Sequence, residues 1–341
     1  MPKIYNILAL DGGMGGYLTL KLLEKIESLR PGFLAAVDIF AGTSAGAMNA
    51  AVLADGHAAG GAEGARAALE SFWRSVSRAA LLSPLRRGFL DVLLDRWSLD
   101  HSPVFIAMDL MTRLFSPYDL NPQGFNPLRQ ILAECVDFER LGRAPIKLFV
   151  CATNVRTGHG RVFRNREITP DVLLASACLP TMFQAVEIDG EHYWDGGYSG
   201  NPNITPLVRE CDSKDTILVQ INPVERPGTP RTAREILNRV NEVSFNAVLQ
   251  EELRMIALLR KVADLGDTEG ALWASMRIHR VASDIMVDLG YSSKLNAEWE
   301  FLCMLRDAGR QAAGSFLDTH GADLGRRSSF DLDALARSMS V

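Results

Sequence analysis

Ser44 stands at the centre of Gly42–Thr43–Ser44–Ala45–Gly46, between an apolar run and a helical one. The spacing is G-x-S-x-G. A serine held where a strand turns sharply into a helix projects its hydroxyl as a nucleophile. Gly42 and Gly46 leave room for that turn and for close backbone packing. The free amides of the new helix favour negative charge developing at the same spot. The plainer reading makes Ser44 a helix cap and nothing more.

A serine hydroxyl needs a base. The histidines are His57, His101, His159, His192, His279 and His320. None is well framed as that base. His279 falls in the strand-like "MRIHRV", His159 in a turn and His320 after a helix. Asp195, in "EHYWDGGYSGNP", is better framed, between a short strand and the pair Gly196–Gly197. Its reference pKa of about 3.9 makes aspartate a weak base in water. Burial beside Tyr193 or Trp194 would raise that value, and the helix dipole would favour the serine alkoxide. A Ser44–Asp195 dyad is chemically workable. An Asx turn at Asp195 is the alternative.

A third piece is "LDGGMGGYL", which carries Gly12, Gly13, Gly15 and Gly16. Its amides could form an oxyanion hole, cradle a phosphate, or simply make a tight turn. The loop does not meet G-x-G-x-x-G and no G-K-[ST] follows, so a nucleotide-binding α/β protein is the weaker reading.

These residues need elements to hold them. "IYNILAL" reads as a buried strand, "LTLKLLEKIESL" as a helix, "AAVDIFAG" as a second strand and "AGAMNAAVLADG" as a helix stopping near Gly56. That is a βαβ opening, with a parallel sheet covered by helices. Residues 57–125 break at Gly60, Gly61 and Gly64 and continue as short apolar helices, expected to form a helical insertion or lid. Within it Leu81, Leu85, Phe89, Leu93 and Trp97 alternate with Arg78, Arg86, Arg87 and Arg96. Such a segment could cover an acyl groove or rest on anionic lipid, and ordinary core packing is the preferred reading. "PIKLFVCATNV", "RVFRNREI", "TILVQINPV" and "RIHRVAS" read as further strands, with strand periods also around Asp189–Gly190. "TPDVLLASACLP", residues 231–262 and "NAEWEFLCMLRDAGRQAAGSFLDTHG" read as helices. Arg226, Arg231, Arg234 and Arg239 flank the long one, as a solvated face or a phosphate site. The expected organisation is one domain over 1–320, mostly helical over 231–320, with a polar tail at 321–341.

The bulk composition removes several classes. With 341 residues, 47% of them hydrophobic, the chain can bury a large core. A net charge of −5 gives no general pull toward nucleic acid. Five cysteines without a C-x-x-C or His/Cys cluster argue against a disulfide scaffold or structural zinc and suit a reducing compartment. The N-terminal apolar run is too short for a convincing signal peptide, and residues 34–54 are too broken for a membrane span. The expected location is the cytoplasm, with peripheral membrane contact left open.

Taken together and in this order, "DGGMGG", "GTSAG" and "DGG" resemble the patatin-like phospholipase family. "LLASACLPTMFQAVEIDGEHYWDGGYSGNP" resembles the family's approach to its aspartate, and the likeness runs over about residues 4 to 223. The resemblance implies a three-layer α/β/α sandwich with a mostly parallel central sheet. It implies hydrolysis of lipid acyl esters with no cofactor or metal, Ser44 as nucleophile, Asp195 as general base, and Gly12, Gly13, Gly15 and Gly16 as the oxyanion loop. The chain departs from the family's usual G-G-G-x-[RK]-G: the leading run is one glycine shorter and Gly15 stands where Arg or Lys is usual. A non-catalytic lipid-binding or regulatory module of the same fold is the alternative function.

Overall fold

The computed structural model describes residues 6–10, 26–28, 31–33, 37–81, 83, 86–88, 91, 97–100, 102–200, 204–211, 214–262 and 268–337. Side chains alternate across a central sheet and place a large apolar core on each of its faces, with a smaller third cluster around Ile221, Met286 and Phe301. Along β3 (Lys147–Asn154), Leu148, Val150 and Ala152 enter one cluster and Phe149 the other. Along β7 (Asp215–Gln220), Ile217 and Val219 face the first cluster and Leu218 the second. In β2 (Val37–Thr43) Val37 and Phe40 share a face although three residues apart. The register with β1 (Asn6–Leu10) explains this, because Asn6 pairs with Val37 and Ile7 with Ile39, leaving one extra residue in β2.

The remaining strands are β4 (Gly160–Arg164), β5 (Val186–Ile188), β6 (Glu191–Asp195) and β8 (Arg277–Ala282). The sheet runs β5-β6-β3-β2-β1-β7-β8, with β4 also on β3. The strands β3, β2, β1, β7 and β8 are mutually parallel. The strands β4, β5 and β6 pair antiparallel at one side, which makes the sheet mixed. Helices cover both faces, so the α/β layering expected from the sequence is the layering observed.

Helix α1 (Ala45–Ala80) is two helices joined at Gly60 and Gly61, where the backbone leaves helical geometry and Gly61 takes φ 63°. The second half folds back on the first. A side-chain carbon on Gly64 would stand 2.3 Å from the Gly56 carbonyl oxygen, so both glycines are required by the close crossing. The Trp73 indole N–H donates to Asn49 Oδ1 at 3.0 Å across the hairpin. The first of the two helices thus ends at Gly60, four residues past Gly56. Residues 61–80 return along it and bury Ala65, Leu69, Phe72 and Trp73 in the core. Helices α2 (Pro103–Leu114), α3 (Leu128–Cys135), α4 (Pro170–Ser176), α5 (Ala233–Val262) and α6 (Trp299–His320) follow.

Beyond α6 the chain docks against the sheet. The Ile278 amide donates to Ser328 Oγ at 3.1 Å, and the Phe330 amide donates to the Ile278 carbonyl at 3.1 Å. Leu332 is buried in the second core. Polar composition thus conceals an ordered strap over residues 321–337; residues 338–341 lie outside the described residues. No helix among the described residues is long and apolar enough to cross a membrane.

Candidate active site

Strand β2 ends at Thr43, and Ser44 takes φ 59° and ψ −130°. Positive φ is unusual for a residue with a side chain and stores strain at the turn. The helix starts at once, with the Ala47 and Met48 amides donating to the Ser44 carbonyl at 3.0 and 3.3 Å. The Ser44 hydroxyl makes no capping bond to that helix. Its amide instead donates to Ser176 Oγ at 3.0 Å, and the Ser176 hydroxyl donates to the Cys151 carbonyl at 2.6 Å. A carbon on Gly42 would stand 2.3 Å from the Gly46 carbonyl oxygen, so position 42 tolerates no side chain. The result is a sharp strand–turn–helix with Ser44 at its tip and Gly42 packed directly on the Gly46 carbonyl.

Asp195 reaches the same place by a different route. Strand β2 pairs along β3 as far as Thr43 opposite Cys151. Strand β4 holds the other edge of β3 through Thr153. Strand β6, which pairs Asp195 with Ala152, therefore continues the edge that β2 leaves. The two strand tips meet end to end. A carbon on Gly196 would stand 2.1 Å from the Cys151 carbonyl oxygen and 2.9 Å from Thr43 Cγ2. The Thr43 hydroxyl closes the junction by donating to the Gly200 carbonyl at 2.9 Å.

Asp195 is fully buried. Its Oδ1 accepts the Gly197 amide at 2.8 Å, so the Asx turn is present at this carboxylate. Its backbone N–H donates to the Cys178 carbonyl at 2.8 Å, and Thr153 donates to its carbonyl at 2.8 Å. The carboxylate colours its surroundings. Burial first, and the negative charge of Asp195 in addition, push the Cys178 thiol and the Tyr198 phenol up to about 12. The Cys151 thiol is also raised to about 12, by burial chiefly, against a lowering hydrogen bond with Ser199. These groups stay neutral near the carboxylate at ordinary pH.

Ser44 and Asp195 open into one cavity of about 300 Å³. Its walls are mostly apolar: Met48, Phe72, Trp73 and Val76 from both arms of α1, and Leu128 and Ile131 from α3. Phe245, Lys294, Leu295 and Ala297 complete it from the far end of the chain. Phe245 also packs on the aspartate turn, since a carbon on Gly197 would stand 2.2 Å from its ring. Nothing local in the sequence marks these four residues, because their role depends on where α5 and the segment before α6 come to rest. Among the described residues no histidine lines the cavity. His279 is buried elsewhere, with Nε2 3.0 Å from Asp215 Oδ1 and Nδ1 3.1 Å from Ser329 Oγ.

Gly12, Gly13, Gly15 and Gly16 lie outside the described residues. Three of the four arginines around α5 make tertiary bonds, and Arg231 is exposed. Arg226 binds Glu242 and the Met286, Val287 and Leu289 carbonyls. Arg239 reaches Glu242 and the Val224 carbonyl, and Arg234 the Asp100 carbonyl. Arg87, from the segment considered for lipid contact, is turned inward: it donates to Glu298 Oε2 at 2.8 Å and stacks on Trp97. Among the described residues no group of three or more His, Cys, Asp or Glu side chains could hold a metal ion.

A family model described as patatin-like phospholipase matches residues 8–208. The crystal structure of VipD from Legionella pneumophila is similar, at 15% identity and a TM-score of 0.45, over 94% of this chain and 67% of that one. No curated protein matches the sequence.

Proposed function

The chain belongs to the patatin-like phospholipase family, and on that premise we propose that it hydrolyses acyl esters of phospholipids or related lipids through a Ser44–Asp195 dyad. The observation that carries this reading is the junction of β2 and β6, which brings a strained elbow serine and a buried aspartate to the wall of one apolar cavity. The family implies a lipid acyl hydrolase; the roles of the two residues and a phospholipase A or lysophospholipase type are what we add to it.

In this mechanism the Asp195 carboxylate takes the proton from Ser44 Oγ as that oxygen bonds to the ester carbonyl carbon. The carbonyl oxygen becomes an oxyanion and needs donors beside it. The Ser44 amide is already given to Ser176. The family resemblance assigns those donors to the loop carrying Gly12, Gly13, Gly15 and Gly16, together with the amide that follows the nucleophile in such elbows. Collapse of the oxyanion breaks the bond to the alcohol, which leaves with the proton held by Asp195. Water then loses a proton to Asp195 and attacks the acyl-enzyme, and the fatty acid departs as Ser44 recovers its hydrogen. The cavity takes the acyl chain, and no metal or cofactor enters the scheme. Five free cysteines support a reducing, cytoplasmic setting.

The test is hydrolysis of a panel of acyl esters by wild type, Ser44→Ala and Asp195→Asn, with fluorophosphonate labelling of each. Wild type should turn over lipid esters and label at Ser44. Ser44→Ala should do neither, and Asp195→Asn should lower kcat by about a thousandfold. Ester turnover unchanged in Ser44→Ala overturns the dyad. A folded wild type that neither labels nor hydrolyses any ester favours a non-catalytic module.

A further inference from the structure

Helix α2 and the residues after it are turned inside out. Of α2 only Phe105 is buried. Val104, Ile106, Leu110, Met111 and Leu114 are exposed, Leu114 by 68%, and Phe125 beyond the helix by 72%. On a helical wheel these apolar positions cover nearly half the circumference, on the side away from Phe105. A solvated helix of a compact domain normally shows the reverse, and contiguous exposed apolar surface marks a contact site.

The charges on this arm are spent locally. Arg113 donates to Asp109 at 2.7 Å within the helix, and Asp119 is held by the Ser116 amide and hydroxyl at 3.0 and 2.6 Å. The arm therefore offers no basic face for anionic lipid and no open charge for a polar partner. Its end is anchored at the cavity. The Ala185 amide donates to Tyr118 Oη at 3.3 Å, and the Gln184 amide group donates to the Asn121 carbonyl at 2.7 Å, next to Phe183 in the cavity wall. Two residues after Phe125 the chain itself becomes wall, at Pro127 and Leu128.

We infer that residues 103–125 form a docking surface for a zwitterionic lipid bilayer, which sets the mouth of the Ser44 cavity against the acyl chains it receives. The choice of lipid as occupant rests on the acyl-hydrolase reading of that cavity and on the continuity of the apolar arm with its wall. Insertion of exposed Leu and Phe side chains into the acyl boundary supplies the binding free energy, and ionic attraction contributes little.

The experiment is co-sedimentation with phosphatidylcholine vesicles, using wild type, Ser44→Ala, and the arm variant Leu110→Ser/Leu114→Ser/Phe125→Ser. Wild type and Ser44→Ala should bind alike, with little change on adding phosphatidylserine or salt. The arm variant should bind at least about tenfold more weakly while retaining hydrolysis of a soluble short-chain ester. Failure of wild type to bind, or equal binding by the arm variant, overturns the inference. So does a wild-type dimer that the arm variant dissolves, which would assign the surface to a second copy. Vesicle binding by a protein that cleaves no ester would leave the docking surface standing and remove the hydrolase reading, so the two failures are distinguishable.

Discussion

Thr43 and Asp195 face consecutive residues of one strand edge, Thr43 opposite Cys151 and Asp195 opposite Ala152. The glycine that follows the aspartate seals the junction. Gly196→Ala would force a methyl group to 2.1 Å from the Cys151 carbonyl oxygen. The expected outcome is a loss of about 1–3 kcal/mol in stability with collapse of ester turnover, read from thermal melts and kinetics on the same preparation. An alanine variant with wild-type stability would mean that the tips do not abut.

Ser44 carries the strain of the elbow in its own backbone, at φ 59°. Glycine adopts such a conformation without penalty. Ser44→Gly should abolish turnover and raise stability by about 1 kcal/mol, measured by denaturant unfolding. A decrease in stability would show that the serine backbone is relaxed.

Val76 sits on the cavity wall contributed by the returning arm of α1. A bulkier side chain there fills part of about 300 Å³. Val76→Trp should lower kcat/KM for long acyl chains by about tenfold or more while sparing acetate esters. A uniform loss across chain lengths would place the acyl chain elsewhere.

Asp215 anchors the strap over β8. It accepts from Arg277 at 3.0 Å and from the Gly325 amide at 3.0 Å, and it pairs with His279. Burial works to raise its pKa, but the bonds from His279, Arg277 and Gly325 overcome this and leave it well below the ordinary 3.8. A depressed native value means that the stabilisation is complete above the unfolded pKa and is lost as pH falls through the native one. Asp215→Asn should therefore cost about 3 kcal/mol near pH 7, and its deficit against wild type should shrink as pH drops below about 4. A deficit independent of pH would assign the effect to packing alone.

The proposed pair, Ser44 and Asp195, is drawn from the sequence through signals that are local. Gly42, Ser44 and Gly46 need only a strand before them and a helix after, and both are written in adjacent residues. The D-G-G turn is equally local, since Asp195 Oδ1 accepts the amide of Gly197 two residues on. The strands at 147–154, 215–220 and 277–282 follow from short apolar, β-branched runs. What escapes depends on distant contacts. Gly60 and Gly61 signal a break, but the hairpin is made by contacts farther apart, the crossing of Gly56 with Gly64 and the bond from Trp73 to Asn49. Phe245 and Lys294 lie far along the chain from Ser44, and periodicity carries no information about such meetings. The polar stretch after His320 reads as a tail because its few buried apolar residues, Leu324 and Leu332, are too widely spaced to mark an element, and the rest of its hold on the sheet comes from Ser328, Ser329 and backbone groups.

That strap has a bearing on how the protein tolerates shortening. By engaging both backbone groups of Ile278, residues 328–330 occupy the outer rim of β8. Removing them would bare a row of donors and acceptors that another molecule could template upon. A truncation well away from Ser44 would thus seed intermolecular pairing while the turn at Ser44 remained intact.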